Sequence, residues 1–204
     1  MLVYVEFRSR KPGVELEDFH AVVGRRDDRW VDKIADDILL LHAGRTWRIG
    51  PEPEYLTIYY TPGSGLERLS DWEEIFASGA VRSMEASTRV TGRIDAAGCY
   101  VPLIDPIPAS GARYYIEYFD IPDGAGRAEV AAWYRLRATQ HENLTLHLLA
   151  DRIGLLGPDP RGLAIWGIPG YHALEAVALE LEDLESPIKP VRAGLYADIG
   201  EEIV

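Results

Sequence analysis

The sequence says nearly the same thing twice, in the same order. Tyr4-Val5-Glu6-Phe7 returns as Tyr115-Ile116-Glu117-Tyr118. Ala43-Gly44-Arg45 followed by Gly50-Pro51-Glu52-Pro53 returns as Ala150-Asp151-Arg152 followed by Gly157-Pro158-Asp159-Pro160, with identical spacing between the two motifs. Leu56-x-Ile58 with Pro62-Gly63 returns as Leu163-x-Ile165 with Pro169-Gly170, and Ala97-Gly98-Cys99-Tyr100 as Ala193-Gly194-Leu195-Tyr196. Four ordered matches mark a tandem duplication, so each half is expected to be one copy of a small fold. Residues kept in both copies are then architectural. Residues that differ at matched positions are where a site can specialise.

The chain has 204 residues, enough for two units of about 100 each. The expected boundaries are 1–108 and 109–204. No run approaches the ~20 apolar residues of a membrane span. The start, Met1 to Glu6, reads as a strand and not as a signal peptide, so a cytoplasmic location is expected. The single cysteine, Cys99, stands where the other copy has Leu195, which fits a core thiol. A formal net charge of −12 without a Lys/Arg cluster argues against nucleic acid or an anionic membrane as partner.

The β-branched and aromatic run 2–8 predicts a strand. Leu16, Phe19 and Val23, extended by Trp30 and Ile34, predict a helix over roughly 15–35. Strands follow at Leu39–Arg48 and Tyr55–Thr61, a helix on Leu66, Leu69, Trp72 and Phe76, and a strand from Ile94 to Leu103. The order is β-α-β-β-α-β, the split βαβ or ferredoxin-like unit. After a proline-rich linker, Pro102 to Gly111, the order repeats. Strands are expected at Arg113–Phe119, Thr145–Leu155, Leu163–Ile168 and Val191–Ile199. Helices are expected at Arg127–Thr139, with Val130 and Trp133 inward, and at His172–Leu181. The first copy has about seven more residues between its first helix and second strand.

A sheet covered by helices on one face leaves its other face to be buried. The repeated pattern resembles the dimeric α/β-barrel superfamily, with two copies fused so that one chain forms the pseudo-dimer. The class implied is α+β, two ferredoxin-like units with sheets face to face. The resemblance covers nearly the whole chain, but in topology and pattern. That superfamily includes antibiotic-biosynthesis monooxygenases, muconolactone isomerases, polyketide cyclases, haem-binding chlorite-dismutase relatives and stress-responsive proteins, so it fixes fold more tightly than activity.

Nucleotide, phosphate-loop, serine-hydrolase and zinc motifs are absent from the sequence. Candidates come from polar groups on apolar strands. Glu6 and Glu117 should be partly buried, which raises a carboxyl pKa and suits a general base; the architectural alternative is that they hold the duplicated Arg45 and Arg152. His42 and His147 fall on one face of equivalent strands, with Asp151 on that face roughly 13 Å from His147. His20 and Tyr134 occupy matched helix positions. Trp47, Tyr59, Tyr60 and Trp166 either line an apolar cavity or fill the core.

The resemblance, more than these residues, implies proton-transfer chemistry without a cofactor or metal, of isomerase, cyclase or lyase type, on a small apolar or aromatic compound. His147, Glu117 and Tyr115 are the expected catalytic residues, with Tyr134, Asp151, Arg152, Trp166 and His42 around the substrate. One principal pocket is expected, in the second copy. An alternative is a monooxygenase or a haem protein with His147 or His20 as axial ligand. Another is a non-catalytic ligand-binding or stress-response protein, which would show a closed core and histidines bonded to backbone. The chain is expected to act as a monomeric pseudo-dimer or a homodimer.

Overall fold

The structure is a computed structural model that describes residues 1–23, 37–52, 54–63, 65–79, 90–109, 111, 113–141, 143–175, 177, 188 and 190–199. The strands are β1 (Leu2–Arg10), β2 (Ile38–Arg45), β3 (Tyr55–Thr61), β4 (Gly92–Pro102), β5 (Arg113–Phe119), β6 (Thr145–Arg152), β7 (Gly162–Gly167) and β8 (Pro190–Asp198). Helices are α1 (Leu16–Val23), α2 (Arg68–Ala77) and α3 (Arg127–Gln140). The expected extension of α1 through Trp30 and Ile34, and the length difference after it, lie outside the described residues. The helix expected at His172 begins as a 3₁₀ turn, Tyr171–Ala173, and most of its remainder is also outside them. No helix among the described residues is long and apolar enough to cross a membrane.

All eight strands form one closed antiparallel barrel in the order β1-β3-β2-β8-β5-β7-β6-β4. Each half contributes four neighbours in the same internal order, β4-β1-β3-β2 and β8-β5-β7-β6. The two four-stranded sheets of the expected pseudo-dimeric α/β barrel are thus joined into one. They join edge to edge, through Ala43↔Asp198 to Arg45↔Tyr196 at one seam and Tyr100↔Arg152 to Pro102↔Ala150 at the other. Edge strands carry unpaired N–H and C=O groups, and closure satisfies them.

Val5, Phe7, Ile58, Ile116, Ile165 and a set of tyrosine rings, Tyr100, Tyr114, Tyr118 and Tyr196, fill the barrel interior. Helix α3 lays Val130, Ala131, Tyr134 and Arg137 on the outer face of the sheet. Trp133 is only half-buried, not inward as its spacing suggested, because the inward stripe runs through 130, 134 and 137. On the other half, Phe19 of α1 is fully buried against Tyr55, with ring centroids 4.5 Å apart.

The repeated motifs sit at the seams. The Arg45 guanidinium donates to the Gly50 carbonyl (2.9 Å) and to Glu52 (2.7 Å). Arg152 does the same with the Gly157 carbonyl (2.8 Å) and Asp159 (2.7 Å). The turn so held prolongs each seam. Thr46 N–H donates to the Leu195 carbonyl (2.7 Å), and Cys99 N–H to the Leu156 carbonyl (2.8 Å). Arg45 and Arg152 are therefore not held by Glu6 and Glu117, as one expectation had it. Each is bound by the acid of its own Gly-Pro-acid-Pro turn.

Candidate functional site

Glu117 lies on the outward face of β5, fully buried under α3. Arg137, itself only 2% exposed, reaches down from the helix and places Nη1 2.8 Å from each carboxylate oxygen. The Trp166 indole N–H donates to Oε2 (3.1 Å) from β7, the strand paired with β5. The guanidinium is flanked by Trp133 (5.4 Å) and Trp166 (5.3 Å), so two aromatic faces add to its stabilisation. The Tyr134 hydroxyl is buried, feels the Glu117 charge, and makes no hydrogen bond of normal geometry. Tyr115 packs at the margin of the same layer.

Burial pushes the Glu117 carboxyl pKa up, and the opposing pull of Arg137 and of the Trp166 donor does not cancel it. Burial, reinforced by the nearby carboxylate, pushes Tyr134 well above the ordinary phenol value. A buried carboxylate with a raised pKa thus stands beside the Tyr134 hydroxyl, which interacts with it and finds no other acceptor. Buried ion pairs cost solvation that hydrophobic side chains would not, so such a pair is a reason to look for chemistry.

Of the residues expected around one pocket, the structure brings together Glu117, Tyr134, Trp166 and, at the edge, Tyr115. His147, Asp151, Arg152 and His42 lie elsewhere. For His147 the cause is a β-bulge between Leu146 and Leu148; Asp151, two residues past Leu149, keeps the helix face but lies by the start of α3, where Arg127 meets it. Beyond the bulge Leu148 and Ala150 face the interior while Leu149 faces the helix. A one-residue slip exchanges faces, so His147 and Asp151 do not share one. His147 sits by Tyr114 (ring centroids 6.1 Å) and against Gly167, with Nδ1 3.3 Å from the Ile107 carbonyl. Burial lowers its pKa. Asp151 is fully buried between the guanidinium groups of Arg127 (2.6 Å) and Arg161 (2.8 Å). Arg152 serves its seam turn. His42, with Nδ1 2.8 Å from Thr57 Oγ1, belongs to the first half's outer face. Glu6 pairs with Arg8, its neighbour on the same strand face. Trp47 is 78% exposed and lines no core.

The sequence reading missed Arg137, Arg127 and Arg161. Arg137 had a signal: it falls on the α3 stripe of Val130 and Tyr134, opposite a carboxylate in an apolar strand.

Two open hollows lie among the described residues. One, about 430 Å³, is rimmed by Thr139, His141, Leu144 and His172; the other, about 310 Å³, by Arg10, Lys11, Glu52 and Glu54. Neither reaches Glu117. No cluster of three or more metal-ligating side chains is present among the described residues.

A haem needs a flat slot and a histidine whose free nitrogen faces it. The Nδ1 of His147 is engaged by Ile107, and its Nε2 abuts the Gly167 backbone. The layer under α3 is occupied by Phe119, Val130, Tyr134 and Trp166. His20 has a buried Nε2 with no partner, but stands edge-on to Tyr55 (5.7 Å) beside Phe19. Neither histidine expected as an axial ligand, His147 or His20, fits a haem.

No protein-family profile matches the chain, and no curated protein matches it. Solved structures do. A candidate chlorite dismutase is 15% identical, with 98% of this chain and 95% of that one aligned at a TM-score of 0.56. A mutant chlorite dismutase from Candidatus Nitrospira defluvii, in complex with cyanide, is 7% identical over 98% and 91%, TM-score 0.58. A candidate monooxygenase from Lactobacillus acidophilus is 9% identical over 98% and 96%, TM-score 0.55. At such identities the likeness defines the fold: an α+β chain built on the barrel that these chlorite dismutase and monooxygenase structures share.

Proposed function

We propose that the chain is two ferredoxin-like units, 1–108 and 109–204, fused into a pseudo-dimeric barrel, and that it is a monooxygenase-type enzyme acting on a small, acidic aromatic or enolisable compound. The structural neighbours favour this alternative over an isomerase or lyase. The observation that carries it is the fully buried Glu117 carboxylate beside the buried Tyr134 hydroxyl that interacts with it. Glu117 takes the proton that makes the substrate electron-rich toward dioxygen, and the substrate is itself the reductant. Its CH2 or ring C–H carbon becomes a carbonyl with one oxygen atom, while the two electrons and two protons it gives up carry the other away as water. Tyr134 donates to the substrate oxygen, Arg137 offsets the charge that develops there, and Trp166 fixes the carboxylate. The half-buried Trp133, edge-on to Tyr134 with ring centroids 4.7 Å apart, is the side chain that swings to admit substrate.

The test is dioxygen consumption with a panel of acidic phenols and 1,3-dicarbonyl compounds, run without added cofactor. Turnover lost in Tyr134→Phe, with folding intact, supports the reading. Turnover that appears only with added hemin, together with a Soret band, replaces it with the haem alternative.

A second reading, a non-catalytic binding or stress-response protein, is favoured by the His147 ring bonded to a backbone carbonyl and by the packed layer under α3. It predicts no turnover with any compound of the panel.

A further inference from the structure

We propose that the hollow beside Arg10 is a binding site for a small monocarboxylate, separate from the Glu117 layer. Arg10 is the last residue of β1, and its Nη1 donates to the Val14 carbonyl. Its Nε is buried and has no partner. Other arginines use that nitrogen. The Nε of Arg8 meets Glu6, that of Arg68 meets Asp37, those of Arg127 and Arg161 meet Asp151, and that of Arg152 meets the Gly154 carbonyl. The Nε edge of a guanidinium is the one that grips a carboxylate with two parallel hydrogen bonds, and a buried donor left unmade is costly. Arg10 therefore keeps a buried donor unmade, on a side chain that also lines the hollow.

Its surroundings agree. His20 also has a buried nitrogen, Nε2, without a partner. Burial, and after it the Arg10 charge, lowers the His20 pKa, and Arg10 interacts with the Tyr55 hydroxyl, so the three groups are neighbours. Of the three, Arg10 lines the hollow of about 310 Å³, together with Lys11, Gly13, Glu52 and Glu54. Its volume suits a molecule of a few heavy atoms. Glu52 is already bound by Arg45, which leaves Glu54 as the opposing charge. That acidic lining disfavours a dianion, so a single carboxylate fits better than phosphate.

The site is peculiar to one half. Counting from Tyr4 and Tyr115, Arg10 corresponds to Ile121; counting from Leu56 and Leu163, Tyr55 corresponds to Gly162. A guanidinium needed only to build the repeated fold would be present twice.

The probes are sodium acetate and sodium propionate titrated into the full chain by calorimetry, at constant ionic strength in chloride, with inorganic phosphate in parallel. Expected is saturable binding of the carboxylates, weaker by about tenfold or more in Arg10→Lys, which keeps the charge but loses the fork. Glu54→Gln is expected to tighten binding, and it answers the question if Arg10→Lys fails to fold. Absence of saturable carboxylate binding, equal binding by Arg10→Lys, no tightening in Glu54→Gln, or phosphate binding more tightly than acetate would each overturn the proposal.

Discussion

His147 and Ile107 hold each other twice: the Ile107 N–H donates to the His147 carbonyl (2.9 Å), and His147 Nδ1 lies 3.3 Å from the Ile107 carbonyl. His147 is the bulged residue of β6. Leu40 is its counterpart on β2, and its carbonyl accepts from Ala109 N–H (2.9 Å). A bulge frees backbone groups from the ladder, and here the freed carbonyls of both halves grip the linker. The polar ring that seemed a proton shuttle thus has a structural employment.

His147→Ala should therefore destabilise the protein by about 1 kcal/mol, the worth of one buried hydrogen bond. The sign with pH follows from the lowered pKa of His147. The folded state prefers the neutral ring, so its contribution is present above the unfolded value of about 6.5 and is lost as pH falls below it. Urea denaturation at pH 7.5 and 5.5 should show a smaller pH dependence in the variant. An unchanged dependence would mean that the ring is not the titrating group.

Glu117→Gln takes the neutralising charge away from Arg137, buried between two indoles, and should cost about 3–5 kcal/mol. The double variant Glu117→Gln/Arg137→Met should recover much of that loss, since the uncompensated charge is gone. A double variant no more stable than Glu117→Gln alone would place the cost in packing instead. Melting curves of the three proteins separate these outcomes.

Much of the architecture could be read from residue spacing. Tyr55–Thr61 and Arg113–Phe119 are strands with the expected bounds, and the duplicated Arg and Gly-Pro-acid-Pro motifs mark the places where the barrel closes. The site was less legible. Alternation along Leu144 to Arg152 gives no hint of the extra residue at His147, and a one-residue slip takes His147 off the face that Asp151 keeps. Pairing across elements is equally silent: nothing beside Glu117 in sequence points to Arg137, twenty positions on, until α3 is laid on β5.

Gly50 tests the seams. It has φ of 126°, and a Cβ there would stand 2.6 Å from the Gly194 Cα. Gly13 is also left-handed, φ 82°, but a Cβ there meets nothing within 4 Å. Gly13→Ala should cost about 1 kcal/mol, the backbone penalty alone. Gly50→Ala should cost at least about twice that, because turn and strand must also separate. Equal losses in thermal unfolding would show that the seam yields freely.

The turn before that glycine offers the opposite experiment. Trp47 and Arg48 have φ of 55° and 58°, and Ile49 N–H donates to the Thr46 carbonyl (3.0 Å), so two ordinary residues occupy the left-handed centre of a tight turn. Asn and Gly are the residues that such a turn favours, and the matched turn of the other half has Gly154 at the first position, φ 54°. Trp47 is 78% exposed, so little burial is lost on replacing it. Trp47→Asn with Arg48→Gly should stabilise the protein by about 0.5–1 kcal/mol, read as a raised urea midpoint at unchanged slope. A lowered midpoint would mean that the indole makes a stabilising contact that outweighs the strained backbone.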